Sequence, residues 1–293
     1  MVRNALPNER EAVLTLLLSH LSPLHRKQRV ESILQLMNDG TIDPAGLFTT
    51  DDFSGATLAS PTAGAGGILW PPICISDSDA SRLIESACAW LRLHGSRLVQ
   101  IIISKSQSHH KLHLTSNGFS YITELVTLVH ELTRHRSLLR FDERLKIDTY
   151  SENLVEDFKQ TLLRSYENSL DCPEIVGLRS IEEILAGHRA QGQYEPLNWW
   201  LARQNNQAIG VVIQVDHNER KERELAYIGI IPEMRGMGLG RQLMQRIIGR
   251  AKADGMRRVI LGLDSRNIPA WHLYTRLGFE EVDREQVFLR IGP

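Results

Sequence analysis

The 293-residue sequence is short of cysteine, of excess charge and of long apolar runs. Its three cysteines, Cys74, Cys88 and Cys172, are widely spaced and form no C-x-x-C pair. That excludes a disulfide framework and a zinc knuckle, and a reducing, cytoplasmic setting is expected. Neither sign of charge dominates, since 34 Lys+Arg against 35 Asp+Glu leave a formal net charge of -1. No general field attracts a polyanion, so no nucleic-acid partner is expected. The early apolar run over residues 12–18 is too short to span a bilayer, and the opening residues lack a signal-peptide core. No membrane partner is expected either. What remains is an ordinary folded composition, 42% hydrophobic and 24% charged, and a length that suits about two domains.

An internal repeat supports two domains. Shifted by 160 residues, the stretch from His94 (HGSRLVQIIISKSQSHHKLHLTSNGFSYI) lies over the stretch from Asp254 (DGMRRVILGLDSRNIPAWHLYTRLGFEEV) without a gap. Gly95 meets Gly255, Arg97 meets Arg257, Gly118 meets Gly278 and Phe119 meets Phe279. One long repeat of domain size means two copies of one fold. The copies are placed at 1–140 and 141–293, with the boundary near 133–143, where charges cluster between apolar runs.

Periodicity gives helices over 9–21, 27–37 and 79–93, the last capped by Ser78, and strands over 46–59, 66–75 and 98–104. In the second copy it gives strands over 145–149, 199–203, 208–215, 225–231, 258–263 and 287–291. Helices are expected over 154–166, 181–191 (capped by Ser180), 239–253 and 270–277. The fold class is α/β (α+β), with a mixed, largely antiparallel sheet flanked by helices.

The strongest local signal runs strand, turn, glycine loop, helix over residues 225–241. Gly236, Gly238 and Gly240 let the backbone approach a ligand closely. The helix start behind them offers unpaired N–H groups and a positive dipole end, a site for phosphate. Arg235 and Arg241 flank the loop with charge that suits pyrophosphate. No Lys-Ser/Thr follows, so the loop is not a Walker A motif, and Arg241 stands where a Rossmann loop needs Gly or Ala.

Arg235-x-x-Gly238-x-Gly240 resembles the acetyl-CoA pyrophosphate motif of the GNAT (GCN5-related N-acetyltransferase) superfamily. Asn267-x-x-Ala270-x-x-Leu273-Tyr274-x-x-x-Gly278-Phe279 resembles that family's second signature, in the right order and spacing. The first copy aligns Ile75-Ser-Asp-Ser-Asp-Ala80 with the glycine loop, Leu114 with Tyr274 and Gln107 with Asn267. It reads as a degenerate GNAT-like domain whose two aspartates would repel pyrophosphate. Such a tandem with one weakened half is similar in organisation to the mycothiol synthase family.

The resemblance implies acetyl-CoA as donor, no metal, and direct transfer to an amine. Residues Arg235, Gly236, Met237, Gly238, Leu239, Gly240 and Arg241 would hold the pyrophosphate, with Asn267 nearby. Ile228 and Ile230 would meet the pantetheine arm through their backbone, and an N–H near Ile230 would face the thioester oxygen. Gly229 marks a candidate bulge that splays this strand from its neighbour. Tyr274 is the candidate general acid, its phenol having a reference pKa near ~10. An amine of pKa ~10.4 needs a base, and Glu224, eleven residues before Arg235, is the candidate. Tyr227 and His272 are weaker alternatives.

Tyr194, Glu195, Asn198 and Trp199 lie where the family shapes acceptor specificity. Trp199 and Trp200 point to opposite faces of a strand, so one is expected in the core and one at the cleft. His109 and His113 share a helical face, but no Cys or carboxylate lies near them in sequence, so no metal is expected. The expected function is an acetyl-CoA-dependent N-acetyltransferase acting on a small amine or a peptide or protein amine. The alternatives are a non-catalytic acyl-CoA-binding or interaction protein, or transfer of a different acyl group. Two copies in one chain would form an internal pseudo-dimer, in a monomer or weak dimer.

Overall fold

The computed structural model describes residues 1–132 and 145–292; the expected copy boundary lies outside the described residues. The first stretch runs β1 (Val2–Asn4), α1 (Arg10–Leu17), α2 (Pro23–Asn38), β2 (Leu47–Thr50), β3 (Gly55–Thr62), β4 (Gly66–Leu69) and β5 (Ile73–Cys74). It continues through α3 (Asp77–Leu93), β6 (Leu98–Ser104), α4 (Lys111–Ser116) and β7 (Ser120–Glu131). The second runs β8 (Leu145–Thr149), α5 (Val155–Tyr166), α6 (Ile181–Arg189), β9 (Trp199–Gln204), β10 (Gln207–His217) and β11 (Glu222–Ile230). It ends with α7 (Leu239–Ala253), β12 (Arg258–Asp264), α8 (Ile268–Arg276) and β13 (Glu280–Ile291).

The repeat is structural. β6 and β12, and β7 and β13, begin and end at positions 160 residues apart, and α3 and α7 share their last position in that register. Gly118 and Gly278, which end α4 and α8, both take positive φ, 80° and 86°, where a side chain is disfavoured.

Contacts group the chain into two compact units, Met1–Ile122 with Glu285–Pro293, and Thr123–Arg284. The first unit orders its strands β1-β2-β3-β4-β6-β13, and the second β7-β12-β11-β10-β9-β8. Each sheet is therefore completed by the last strand of the other copy: β13 pairs with β6, and β7 with β12. In each unit one pair is parallel, β4 with β6 and β11 with β12, and the other pairs are antiparallel. The mixed, largely antiparallel sheet is as the sequence implies.

Three local expectations change. Residues 46–59 are not one strand but β2 and β3, joined by a turn at 51–54. Asp52 there accepts the Ser54 N–H and hydroxyl, Phe53 has φ 56°, and the Gly55 N–H donates to Thr50 Oγ1. Residues 66–75 are not one strand but β4 and β5, broken at Trp70-Pro71-Pro72, where the prolines lack a ladder N–H. The α3 cap is Ser76 and not Ser78, its hydroxyl accepting the Asp79 N–H at 3.2 Å.

In the second unit both faces of the sheet are covered. Leu243, Met244 and Ile247 of α7 pack on one face with Val212, Leu225 and Val259. Phe158 and Leu162 of α5 pack on the other with Trp199, Leu201, Val211 and Ile213. Burial of each such side chain contributes roughly 1.5–3 kcal/mol.

Candidate active site

The site begins where two parallel strands part. β11 pairs with β12 only over Glu222–Leu225 against Arg258–Leu261. Beyond Leu225 it keeps β10 alone. The register with β10 shifts between Ile213, opposite Tyr227, and Gln214, opposite Leu225, which makes Ala226 the extra residue of a bulge. A bulge bends its strand and increases its twist. The bulge therefore lies three residues before Gly229, correcting the expectation. Gly229 has another role: a Cβ there would collide with the Ser165 hydroxyl and the Tyr227 phenol, which are hydrogen-bonded to each other at 2.8 Å.

The parting leaves a cleft of about 800 Å³, walled by the ends of β11 and β12, the residues after α5, the start of α7 and one side of α8. Ile231 N–H donates to the Ile209 carbonyl on the β10 side. Alternation along an antiparallel strand then turns the backbone groups of Ile230 and Ile228 to the opposite edge, which β12 has left. The Ile230 carbonyl is met there by Arg235 Nε at 2.9 Å. The Ile230 N–H and both backbone groups of Ile228 face the cleft.

The glycine loop follows from φ. Gly236 and Gly238 sit at φ 75° and 76°, and a Cβ on either would meet nothing within 4 Å. Gly238 is the N-cap of α7, which has no side-chain cap and no acid in its first turn. The helix start therefore offers its N–H groups and dipole to a ligand. Gly240 is a packing glycine, its Cβ position 3.3 Å from Leu273 of α8. Met237 is exposed and Leu239 is buried in the core. Arg241 lines the cleft with its side chain in solvent.

Arg235 departs from the expectation that it meets pyrophosphate. Its guanidinium donates to the carbonyls of Ile230, Ser165 (3.0 Å) and Asn168 (3.2 Å). It ties the end of α5 to the end of β11 and so holds the cleft in shape. Asn267 caps α8, its Oδ1 accepting the Ala270 N–H at 3.3 Å, and lines the cleft. Tyr274 also lines it, yet is only 5% exposed. Burial, and then the charge of Asp171, raise its phenol above the usual range. Tyr274 thus stays protonated at neutral pH, as a proton donor must.

Glu224, Tyr194, Glu195, Asn198 and Trp199 are not brought to this cleft. Glu224 sits where β11 and β12 are still paired, its carboxylate 2.8 Å from His217 Nε2. Trp199 is 1% exposed and stacks on Phe158, while Trp200 is buried on the other face and donates to the Leu197 carbonyl. Opposite faces were read correctly, but both are cores, so neither indole reaches the cleft. Asn198 is buried and donates to Asp216 at 2.9 Å, and Glu195 accepts the Leu197 N–H. Tyr194 is partly exposed against Trp199, beneath Arg189. His272 lines the cleft. Tyr227 also does, but burial raises its phenol far from a base's range.

Sequence reasoning missed an acidic corner. Asp264 ends β12 and is buried, accepting from Thr123 Oγ1 (2.5 Å), Arg266 (2.7 Å) and the Cys172 N–H (3.0 Å). Burial opposes its charge, but these donors bring its pKa down to about 2. Asp171 lines the cleft and is exposed to solvent there, yet desolvation by the surrounding protein, followed by the Asp264 charge, raises its carboxyl. Asp171, Cys172 and Asp264 come within 4.8 Å of one another. They do not suit a metal: burial pushes the Cys172 thiol up to about 12, and Arg266 occupies Asp264.

Comparison with known proteins fits this geometry. Residues 161–279 match the Acetyltransferase (GNAT) family model. Over this segment the chain carries a domain that matches the GNAT acetyltransferase family. The match runs from the middle of α5 to just past α8, the elements that build the cleft. A mycothiol acetyltransferase of Thermobispora bispora is 27% identical over 167 residues, 50% of this chain and 55% of that one. The chain spans between about a fifth and just over half of the length of the first curated relatives it matches. A GCN5-related N-acetyltransferase from Sphaerobacter thermophilus superposes with TM-score 0.67 at 15% identity, covering 99% of this chain and 95% of that one. A tandem GNAT protein from the clavulanic acid biosynthesis pathway gives 0.53 at 12%, covering 100% and 98%. Both share the fold across the two copies, so the tandem GNAT-like architecture holds for the chain. Among the described residues, no helix is long and apolar enough to cross a membrane.

Proposed function

We propose that the GNAT domain binds acetyl-CoA in the β11–β12 cleft and transfers its acetyl group directly to a primary amine. One observation carries this reading. The uncapped glycine start of α7, the unpaired edge at Ile228 and Ile230, and the protonated phenol of Tyr274 all open into one cleft. The first suits pyrophosphate, the second suits the amides of a pantetheine arm, and the third suits a departing thiolate. The α7 backbone and Arg241 would hold the phosphates, with Arg235 and Asn267 fixing the walls. The Ile230 N–H would steady the oxyanion. The name shared by the matched relatives supports a small-molecule acceptor, and a cytoplasmic location fits acetyl-CoA.

Calorimetry of acetyl-CoA against the full chain tests the reading, with Gly238→Asp as control. One site per chain is expected in the wild type. The substitution strains a left-handed position and sets a carboxylate at the phosphate site, so binding should be lost. Absence of binding in the wild type overturns the reading.

A further inference from the structure

We propose that Asp171 is the acceptor-ammonium site, its carboxylate holding the cationic amine in the cleft and taking its proton. This rests on the reading of the cleft as an acetyl-CoA site, and identifies what the other substrate must be: an amine that arrives as a cation.

The first support is an unpaired charge. Among the described residues Asp171 makes no salt bridge, and Arg266, whose charge reaches it, is shared by its acidic neighbours. Arg266 is 2.7 Å from Asp264 and 2.6 Å from Glu174. Two carboxylates against one guanidinium leave that corner negative before Asp171 is counted. A cationic ligand is what this field favours.

The second support is that the backbone is built to keep Asp171 there. Cys172 stands at φ 44°, a left-handed position for a non-glycine residue before a proline. Its N–H is held by Asp264 Oδ2 at 3.0 Å. The Asp264 N–H donates back to Asp171 Oδ1 at 3.3 Å, and the Asp171 N–H donates to Ser169 Oγ at 3.1 Å. Strain at Cys172, offset by two reciprocal bonds to the end of β12, sets the preceding residue, Asp171, into the cleft wall.

The third support is polarity across one cavity. Arg241, Arg276 and the start of α7 line the same cleft as Asp171. An anionic donor and a cationic acceptor each find an opposite charge. The groups around Asp171 are Asp264 and Arg266 from the end of β12, Cys172 beside it, and the phenols of Tyr166, Tyr227 and Tyr274 from α5, β11 and α8. Burial raises all three phenols and the thiol, and the charge of Asp171 adds to each shift. These groups stay neutral and leave the carboxylate as the base. Asp171 is solvent-exposed at the cleft, where an ammonium can reach it, and the protein packed around its carboxyl together with the Asp264 charge raises its pKa above that of a free aspartate.

The protons balance as follows. R–NH3⁺ gives one proton to Asp171, which passes it to water. The free amine forms the N–C bond at the thioester carbonyl, and the C–S bond breaks as the adduct collapses. The adduct nitrogen gives up its second proton, and Tyr274 delivers one to sulfur and is recharged. The products are R–NH–CO–CH3, CoA thiol and one proton to solvent.

The test compares wild type, Asp171→Asn, Asp171→Glu and Glu224→Gln as full chains. It reads acetyl-CoA binding by calorimetry, melting temperature, and CoA-thiol release with a panel of amino sugars, amino acids and a lysine peptide. Asn can keep the bond from the Asp264 N–H, so the wall should survive. Asp171→Asn should bind acetyl-CoA within about threefold of wild type and lose roughly 10²–10⁴-fold in kcat/KM. Its acidic limb in the kcat/KM profile should vanish, and Asp171→Glu should restore part of the rate. The variant should also melt higher at neutral pH. A carboxyl raised in the fold costs stability as pH climbs from its unfolded value through its folded one, and asparagine escapes that cost. An Asp171→Asn enzyme within about threefold of wild-type kcat/KM overturns the proposal. So does an acidic limb that persists in it and vanishes instead in Glu224→Gln. A wild type that binds acetyl-CoA but acetylates no amine of the panel overturns the ammonium site alone. A wild type that binds no acetyl-CoA removes the cofactor reading beneath it.

Discussion

The two copies make the same helix start in opposite ways. In the register of 160, Ser76-Asp77-Ser78-Asp79 lies over Gly236-Met237-Gly238-Leu239. Ser76 caps α3 with its hydroxyl, and Asp77 and Asp79 stand in its first turn. That helix supplies its own negative charge. It also begins two positions earlier in the register than α7, because Gly236 and Gly238 hold the second copy in left-handed turns. α7 ends its loop with a backbone that awaits a charge from outside. The difference extends along the helix that follows the next strand. Leu114, fully buried, replaces Tyr274, and His110 replaces Ala270, which lines the cleft. One copy has spent these positions on its own stability, and the other keeps them for a ligand.

The largest effect that would sharpen this contrast is on Tyr274. Exchanging it for phenylalanine removes the proton donor and leaves the packing against Phe279. The rate of acetyl transfer should fall roughly 10²–10⁴-fold, with acetyl-CoA affinity unchanged by calorimetry. Tyr274→Leu, the residue of the first copy, should match it in rate. If Tyr274→Phe keeps wild-type kcat, the second copy differs from the first in binding but not in proton transfer.

The second effect lies in the first copy. His110 is 5% exposed, its Nε2 has no hydrogen-bond partner, and burial together with His109, His113 and His20 lowers its pKa to about 4. The unfolded chain takes the proton first. Stability is therefore full above the unfolded value near ~6.5, and is lost as pH falls toward the folded one. At ~1.4 kcal/mol for each pH unit the loss is bounded at ~3.5 kcal/mol. Urea unfolding at pH 7 and pH 4 should show it, and His110→Leu should remove this part of the acid sensitivity. Equal acid loss in the variant would assign it elsewhere.

The duplication, the element order and the glycine loop were legible because each leaves a repeating or spaced pattern in the residues. The exchange of β7 and β13 was not. A repeat says which residues are equivalent, and two equivalent strands fit either sheet by the same pattern. The bulge was drawn to Gly229 because glycine tolerates one, but Ala226 forms it, and nothing in an alanine announces that. Trp199 looked available because one face of a strand is often wet, whereas β9 is covered on both. Asp171 lies in an aperiodic loop. Its signal is the φ of Cys172 and the bond to Asp264, 92 positions later in the chain. Neither is a property of local sequence.

A smaller effect comes from moving one charge between copies. Met237 is 61% exposed and occupies the position of Asp77. Met237→Asp should therefore fold normally while placing a carboxylate beside the phosphate site. At an effective dielectric between protein and water, acetyl-CoA should bind roughly 10–100-fold more weakly, and salt should recover part of the loss. Unchanged affinity would mean that the phosphates lie away from this turn.

The smallest effect is the reciprocal one. Ser76→Ala removes the hydroxyl that accepts the Asp79 N–H and leaves a backbone donor at the start of α3 without its cap. The cost should be about 1 kcal/mol, read as a lowered urea midpoint with an unchanged slope. Acetyl-CoA affinity should not move, because that N-terminus serves the fold of its own unit. The corresponding glycine, Gly236, should behave in the opposite sense. Any non-glycine residue there strains φ 75° and disturbs the loop ahead of α7, so binding falls further than stability does. If Ser76→Ala instead weakens acetyl-CoA binding, the first copy takes part in holding the donor, and the division of labour between the two helix starts fails.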